Sequence, residues 1–482
     1  MTPQLRSRHF EKRRWVTVCL AATIIVAFRG EARAERLLSL DDALALARTN
    51  NRDLRAARAH LEGTSTSIAL AWAALLPQVS MQGKYTHNYK NVELDLGALS
   101  QSVTGLGDSI KAASTNPAET AAINRFEQSL TAATAGQPPI VIQKGEQLDL
   151  TANATVPLVV PYAYAALSSA KLSQRSNAAN LEVTTATVLL SVAQAYYAAA
   201  GADELTLARR HAVAVATETH DTAKARVAAG FVNRVEATRA EVAVVRAGQD
   251  EAEAENTRDA VYRSLSTLLG THEPFRVKPV EGVAAEPQSE AELVSRAHER
   301  RPEFSMYRTA IDSSEASSRS NAWRWAPSLS AFGTARLSNY AGFAGDKYAW
   351  AVGASLDWVL YDGGVRDAER HLAAAQGREN AIRIGLLDDT VADEIVNAKE
   401  TLDTKRRALD SAVHARDLSS ETLRLVRAQY EAGTAPQLDV LQAQDSLVSA
   451  EVGVVQAHFD LALANLQLEH SAGIFPPHGG RP

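Results

Sequence analysis

Cysteine is almost absent from this chain: of 482 residues only Cys19 is one, and it lies near the N-terminus. Beyond that position no disulfide can form, and no thiolate can bind a metal or act as a nucleophile. The short patterns that carry chemistry are missing as well. There is no Gly-rich phosphate loop, no HExxH and no GxSxG, which removes the commonest nucleotide-dependent, zinc-dependent and serine-hydrolase architectures. Histidines such as His211, His298, His414 and His458 are scattered over helical stretches without the paired spacing of metal ligands. The acidic pairs Asp41-Asp42 and Asp388-Asp389 read as helix-start or solvated charges. No catalytic residue, metal site or cofactor is expected.

Excess positive charge is missing too, once the N-terminus is set aside. Arg6, Arg8, Lys12, Arg13 and Arg14 precede an uncharged, mostly apolar run of 14 residues, Trp15 to Phe28, and Ala32-Arg33-Ala34 supplies a small-x-small cleavage site. This is the pattern of a secretory signal over residues 1–34. Its apolar run is too short for a comfortable membrane-spanning helix. Thr17-Val18 before Cys19 lacks the small residues of a lipoprotein signal, so lipidation is not expected there. Removing the signal takes seven basic and two acidic residues from totals of 50 and 56, leaving 43 against 54 and a charge of −11. A mature chain this acidic argues against a nucleic-acid partner.

The positive features begin with a turn that occurs twice. An Ala-rich helical pattern runs to Gly433, and Thr434, with Gln437 three residues on, reads as a capping box that opens the next helix. Gly230 plays the same part before Asn233-Arg234-Val235-Glu236. The two glycines are 203 residues apart, as are Gly270 and Gly473, Ala240 and Ala443, and Ala195 and Ala398. Nearer the N-terminus, Asn51-Arg52-Asp53-Leu54 matches Arg301-Pro302-Glu303-Phe304, and Pro77 matches Pro327, at an offset of 250. By Val156 and Trp358 the offset is 202, so the first half carries 48 additional residues in between. The chain reads as an internal duplication, one repeat over 35–280 and a second over 281–475, with a disordered tail over 476–482. The repeat overrides the prior of about three domains that length alone would give.

Each half changes period in the same order. Helical patterns lead to Pro77 and Pro327, and alternating segments follow, at about 78–89 and 147–156 in the first half and 328–339 and 348–358 in the second. Gln78, Ser80, Gln82, Lys84, Thr86 and Asn88 share one face against Val79, Met81, Tyr85 and Tyr89. Phe332 breaks the alternation by falling on the polar side. Segments of this length, with Tyr348, Trp350 and Trp358 near strand ends, fit tilted membrane-crossing strands with an aromatic girdle. An ordinary half-wet sheet would alternate in the same way. Four strands cannot close a barrel, which needs about eight, and a membrane tolerates no open sheet edge. Crossing strands would therefore have to be pooled with other copies. The additional residues, about 91–144, read as an exposed loop with one short helix at 118–132. Helical hairpins over 162–270 and 365–472 complete the halves, the first interrupted at Gly201, and each long helix extends for about 100 Å at 1.5 Å per residue.

The signal, Leu40-Asp41-Asp42-Ala43-Leu44, Trp358-Val359-Leu360-Tyr361-Asp362-Gly363-Gly364 at a strand-to-helix junction and Tyr430-Glu431-Ala432-Gly433-Thr434 at a helical turn resemble the TolC-type outer-membrane efflux protein family, the outer-membrane factors. The resemblance covers the mature chain and implies a mixed α and β membrane protein. In such a protein a homotrimer closes a 12-stranded β-barrel in outer-membrane lipid, four strands per copy, and continues it as a periplasmic α-helical barrel. It implies a tunnel without chemistry of its own, located in the outer membrane of a Gram-negative cell, and partners that are a periplasmic adaptor and an inner-membrane pump. The tips carried over are Gly230 and Phe231 in one turn and Gly433 and Thr434 in the other. Asp439 falls on the family's gate position, with Glu236 as its repeat equivalent; Gln442 and its equivalent Arg239 stand where a second acid is expected. Ala435 replaces a basic residue. The competing reading is a periplasmic coiled-coil scaffold or adaptor that forms no channel.

Overall fold

The computed structural model describes residues 36–279, 288–340 and 346–476. The expected signal, the boundary between the expected repeats near 280 and the tail beyond Pro476 lie outside the described residues. The first half runs β1 (Arg36–Leu38), α1 (Leu40–Asn50), α2 (Arg52–Ala73), β2 (Gln78–His87), β3 (Val92–Leu94), α3 (Leu96–Ala113), α4 (Pro117–Thr134), β4 (Ile140–Gln143), β5 (Glu146–Val159), α5 (Pro161–Ala228), α6 (Arg234–Leu269) and β6 (Phe275–Val277). The second runs α7 (Glu290–Arg300), α8 (Pro302–Trp323), β7 (Ser328–Ser338), β8 (Tyr348–Asp357), α9 (Val365–Glu431) and α10 (Gln437–Ser471). Corresponding helices have 11 and 11, 22 and 22, 68 and 67, and 36 and 35 residues.

Local chemistry explains the helix boundaries. Ser39 and Ser289 each close a capping box, with Asp42 and Glu292, so that orphan N–H groups at the helix start find acceptors. The Ser39 hydroxyl and backbone bonds also hold the Asp42 carboxyl below its ordinary pKa. Asn51 caps α2 through its side-chain oxygen, while its Nδ2 donates to Leu268 O at 2.8 Å and so ties the α1–α2 corner to the end of α6. The equivalent corner is held by charge. Arg301, 8 % exposed, donates to Glu394 at 2.6 Å and to Glu303 at 3.1 Å. Burial alone would raise the Glu303 carboxyl, but pairing with Arg301 outweighs it and holds the group below its usual value.

The principal core sits midway along the long helices. Leu189, Val192, Tyr196 and Ala199 of α5 pack with Ala43, Leu44 and Ala47 of α1, Leu265 and Leu269 of α6, and Phe459 and Leu466 of α10. Strands β1 and β6 pair in parallel beside this core. Tyr196 pins them by donating to Leu38 O at 3.0 Å and accepting from the Lys278 N–H at 3.2 Å. A second cluster joins Leu293, Ala297 and Phe304 to Val391 and Ile395.

Strands β2, β5, β7 and β8 form one antiparallel sheet in that order. Expected strands and observed strands coincide within a few residues, β5 being longer at 146–159. The sheet's two edges, β2 and β8, have no further strand among the described residues. Phe332 faces its register partner Gly353, where a Cβ would come within 2.9 Å of the ring. The aromatic side chain thus covers the backbone of a strand glycine, which explains the broken alternation.

Two expectations are corrected here. Residues 91–144 are not a loop with one short helix but two 18-residue helices, α3 and α4, on a β3–β4 ribbon. Asp95 caps α3 and Asn116-Pro117 opens α4, so the segment carries full helix-start chemistry despite its small polar residues. Gly201 does not interrupt α5, which is continuous from 161 to 228. A Cβ at Gly201 would lie 2.9 Å from the ring of Phe459. The glycine lets α10 approach α5 closely.

Candidate functional site

The two faces of the sheet differ, Phe332 apart. Gln82, Thr151 and Arg336 lie in register on one face, as do Ser80, Asn153 and Thr334 one step away. The other face carries Val79, Met81, Val352, Trp350 and Leu356, all more than 60 % exposed. On the polar face Arg336 donates to Asp149 at 2.5 and 2.8 Å and stacks toward Tyr340, and Lys84 is the register partner of Asp149. Beside the sheet, Trp358 donates from Nε1 to Trp325 O at 3.1 Å. Arg366, 2 % exposed, stacks over the Trp325 ring at 3.8 Å and donates to Val359 O and Arg324 O, which fixes the strand-to-helix junction expected from Trp358 to Gly364.

At the opposite end of the long helices lie the two turns. Gly230 and Gly433 have φ of +77° and +76° and each closes a six-to-one helix terminus, Phe231 N–H to Arg226 O at 3.0 Å and Thr434 N–H to Gln429 O at 2.9 Å. The expected Thr434–Gln437 capping box does not form. Thr434 turns its hydroxyl back to Gln429 O at 3.0 Å, and Pro436 occupies the cap position of α10 without a side-chain bond. A hydroxyl engaged by the preceding helix cannot serve the following one. Phe231 stands where such a terminus usually packs an apolar residue, yet it is 81 % exposed. Nothing lies within 4 Å of a Cβ built on either glycine, so both tips present open backbone.

The four gate candidates separate in one chain. Glu236 accepts from the Tyr430 hydroxyl at 3.5 Å, and the Tyr430 ring lies 4.4 Å under the Arg226 guanidinium. This bracket joins the two turns and rests on a small core of Leu423, Val440 and Ala443. Arg239 and Gln442 line another groove, of about 920 Å³, with Leu438, Leu441 and Asp445. Asp439 is exposed, and among the described residues its carboxylate has no hydrogen-bond or ion-pair partner. The Arg226–Tyr430–Glu236 bracket was not foreseen, since its members lie up to 204 residues apart in the chain. Asp439 is a free charge in the first turn of α10.

A profile of outer membrane efflux proteins matches residues 142–271 and 293–474. The chain belongs to this outer membrane efflux protein family. The family places it in the outer membrane, as expected. Among curated relatives, CyaE of Bordetella pertussis is 33 % identical over 123 residues, 25 % of this chain and 26 % of CyaE. Outer membrane efflux protein BepC of Brucella suis is 27 % identical over 131 residues, 27 % of this chain and 28 % of BepC. The matched stretches span about a quarter of either relative. In three dimensions the outer membrane efflux fold extends much further. The Campylobacter jejuni CmeC outer membrane channel superposes with a TM-score of 0.68 at 16 % identity, over 90 % of this chain and 85 % of that one. The open Neisseria gonorrhoeae MtrE outer membrane channel gives 0.65 at 18 % identity, over 90 % and 88 %.

Proposed function

We propose that this outer membrane efflux protein is a passive exit tunnel, assembled from three copies, that carries solutes from a periplasmic adaptor and inner-membrane pump to the exterior. The observation that carries this reading is the sheet: four strands, one face apolar and exposed, the other mostly polar, and two edges unpaired among the described residues. In lipid an open edge leaves backbone groups without partners, so β2 of one copy pairs with β8 of the next. Three copies of four strands close a 12-stranded barrel with the polar face inward. Helix α10 gives independent support: its most apolar window is only 17 % buried within the chain, and neighbouring copies would cover the remainder in a periplasmic helical barrel. The two halves, with their matching helices, are read as a duplication.

At the periplasmic tips, Gly230, Phe231, Gly433 and Thr434 form the adaptor surface. Open backbone and an unpacked aromatic ring suit a partner that packs over the turns. Within the tunnel, three Asp439 carboxylates form a ring that favours cations, with Gln442 and Arg239 beside it and Glu236 bracing the turns. Opening is a shift between states with different affinity for the adaptor. Asp439→Ala is expected to weaken block of single channels by divalent cations in planar bilayers by about tenfold, the equivalent of about 1.4 kcal/mol. Unchanged block and conductance would remove Asp439 from the gate.

A further inference from the structure

Helices α3 and α4 pack with small and polar residues, and Ile123, inside. Along α3 the residues facing α4 are Ser100, Thr104, Gly107 and Lys111, and Gly107 lies so close to Glu127 that a Cβ would meet its Oε1. Lys111 Nζ binds Glu127 at 2.5 Å, Asp108 at 2.6 Å and Asn124 at 3.1 Å. Glu127 is 8 % exposed. Ile123 of α4 also packs at the seam, against Gly107, but Leu99, Leu106, Ile110 and Phe126 point away from it and are 53, 62, 49 and 57 % exposed.

Those outward residues are ordered. Leu99, Val103, Leu106 and Ile110 follow steps of four, three and four, the heptad spacing of a helix–helix seam. Each precedes an inward residue by one position, so the stripe is rotated by about 100° from the α3–α4 interface. Phe126 bears the same relation to Glu127 on α4. Because the two helices are antiparallel, equal rotations about their own axes bring both stripes to the same side of the hairpin. The hairpin therefore has one apolar face, with Asp108, Asn124 and Gln128 on the opposite side.

Its base is fixed to the sheet. Asn88 N–H donates to Gly145 O at 2.7 Å and Gly145 N–H donates to Asn91 Oδ1 at 2.6 Å, so the hairpin rises directly from β2 and β5 at the strand ends remote from the long helices. Strand β2 is a sheet edge. Each hairpin thus stands at a boundary between copies, and its heptad spacing calls for helices as partners.

We propose that the α3–α4 hairpins of the three copies meet through their apolar faces around the symmetry axis, forming a six-helix plug over the outer mouth of the barrel. The inference rests on the trimeric channel reading. Low charge suits it: α3 and α4 hold only Asp108, Lys111, Glu119, Arg125 and Glu127, and three of these are engaged in the ion-paired cluster inside each hairpin. The plug adds contacts between copies where the barrel ends and narrows the exit.

Single-cysteine variants test this in the full chain purified from outer membranes, where the stoichiometry is measured on the same sample. Leu106→Cys and Phe126→Cys are expected to yield disulfide-linked dimers on oxidation, at least tenfold more than Gln128→Cys on the opposite face. Leu106→Asp combined with Ile110→Asp is expected to raise single-channel conductance. A trimer that fails to cross-link at positions 106 and 126, or links equally well at 128, overturns the plug and leaves the channel reading standing. Labelling of the Leu106→Cys variant by a lipid-partitioned maleimide without cross-linking assigns the face to lipid and likewise overturns it. A protein that is not trimeric removes both readings.

Discussion

Gly270→Ala is expected to destabilise the protein by about 2–4 kcal/mol, whereas Gly230→Ala costs only about 1–2 kcal/mol. Both glycines end a long helix with positive φ, +64° and +77°. The conformational cost of a side chain in that region is therefore shared. What differs is the space. A Cβ at position 270 would fall 2.5 Å from Asn50 O and 3.0 Å from Asn50 C, whereas at position 230 it would meet nothing within 4 Å. Backbone cannot swing aside as a side chain can, and Asn50 ends α1 against the main core. Thermal unfolding of the two variants beside the parent separates packing from conformation. Equal destabilisation would mean that the α1–α6 corner yields freely.

The second large effect is expected on the sheet. Met81→Arg places a charge at the centre of β2 on the apolar face, 72 % exposed in the single chain. If that face meets hydrocarbon, the cost is about 2–4 kcal/mol near the bilayer midplane. Ser80→Arg, one residue earlier on the polar face beside Asn153, would then enter the aqueous lumen of the proposed barrel and cost little. The amount of protein recovered from outer membranes should fall severalfold for the first and stay near the parent for the second. Similar recovery of both would mean that the two faces see the same solvent.

The contrast between faces was legible in the sequence because a strand writes its environment with a period of two. The helix starts at Ser39 and Ser289 rest on equally local chemistry, a capping box at each. Features made by distant residues were not legible. Gly201 reads as a helix breaker until Phe459 is seen against it, and Phe332 reads as an error of alternation until Gly353 lies opposite. The hairpin of α3 and α4 was missed for a further reason. Its inward positions on α3 are Ser, Thr, Gly and Lys, and on α4 they include Glu127 beside Ile123, so hydrophobicity marks mostly the wrong face for a segment assumed to fold alone. At the tips, the helix-ending glycines were legible in the sequence, whereas Asp439 was marked only by the family resemblance. The Thr434 cap failed because its hydroxyl had a nearer acceptor in Gln429, and the Glu236–Tyr430 contact joins two hairpins that share no local signal.

The account depends most on closure of the sheet by other copies. Native mass spectrometry of the chain extracted from outer membranes in detergent tests that most directly. The account predicts a complex with three times the mass of the processed chain, and no monomer until the detergent also melts the strands. A folded monomer, or a soluble protein released with the periplasmic fraction, would contradict it.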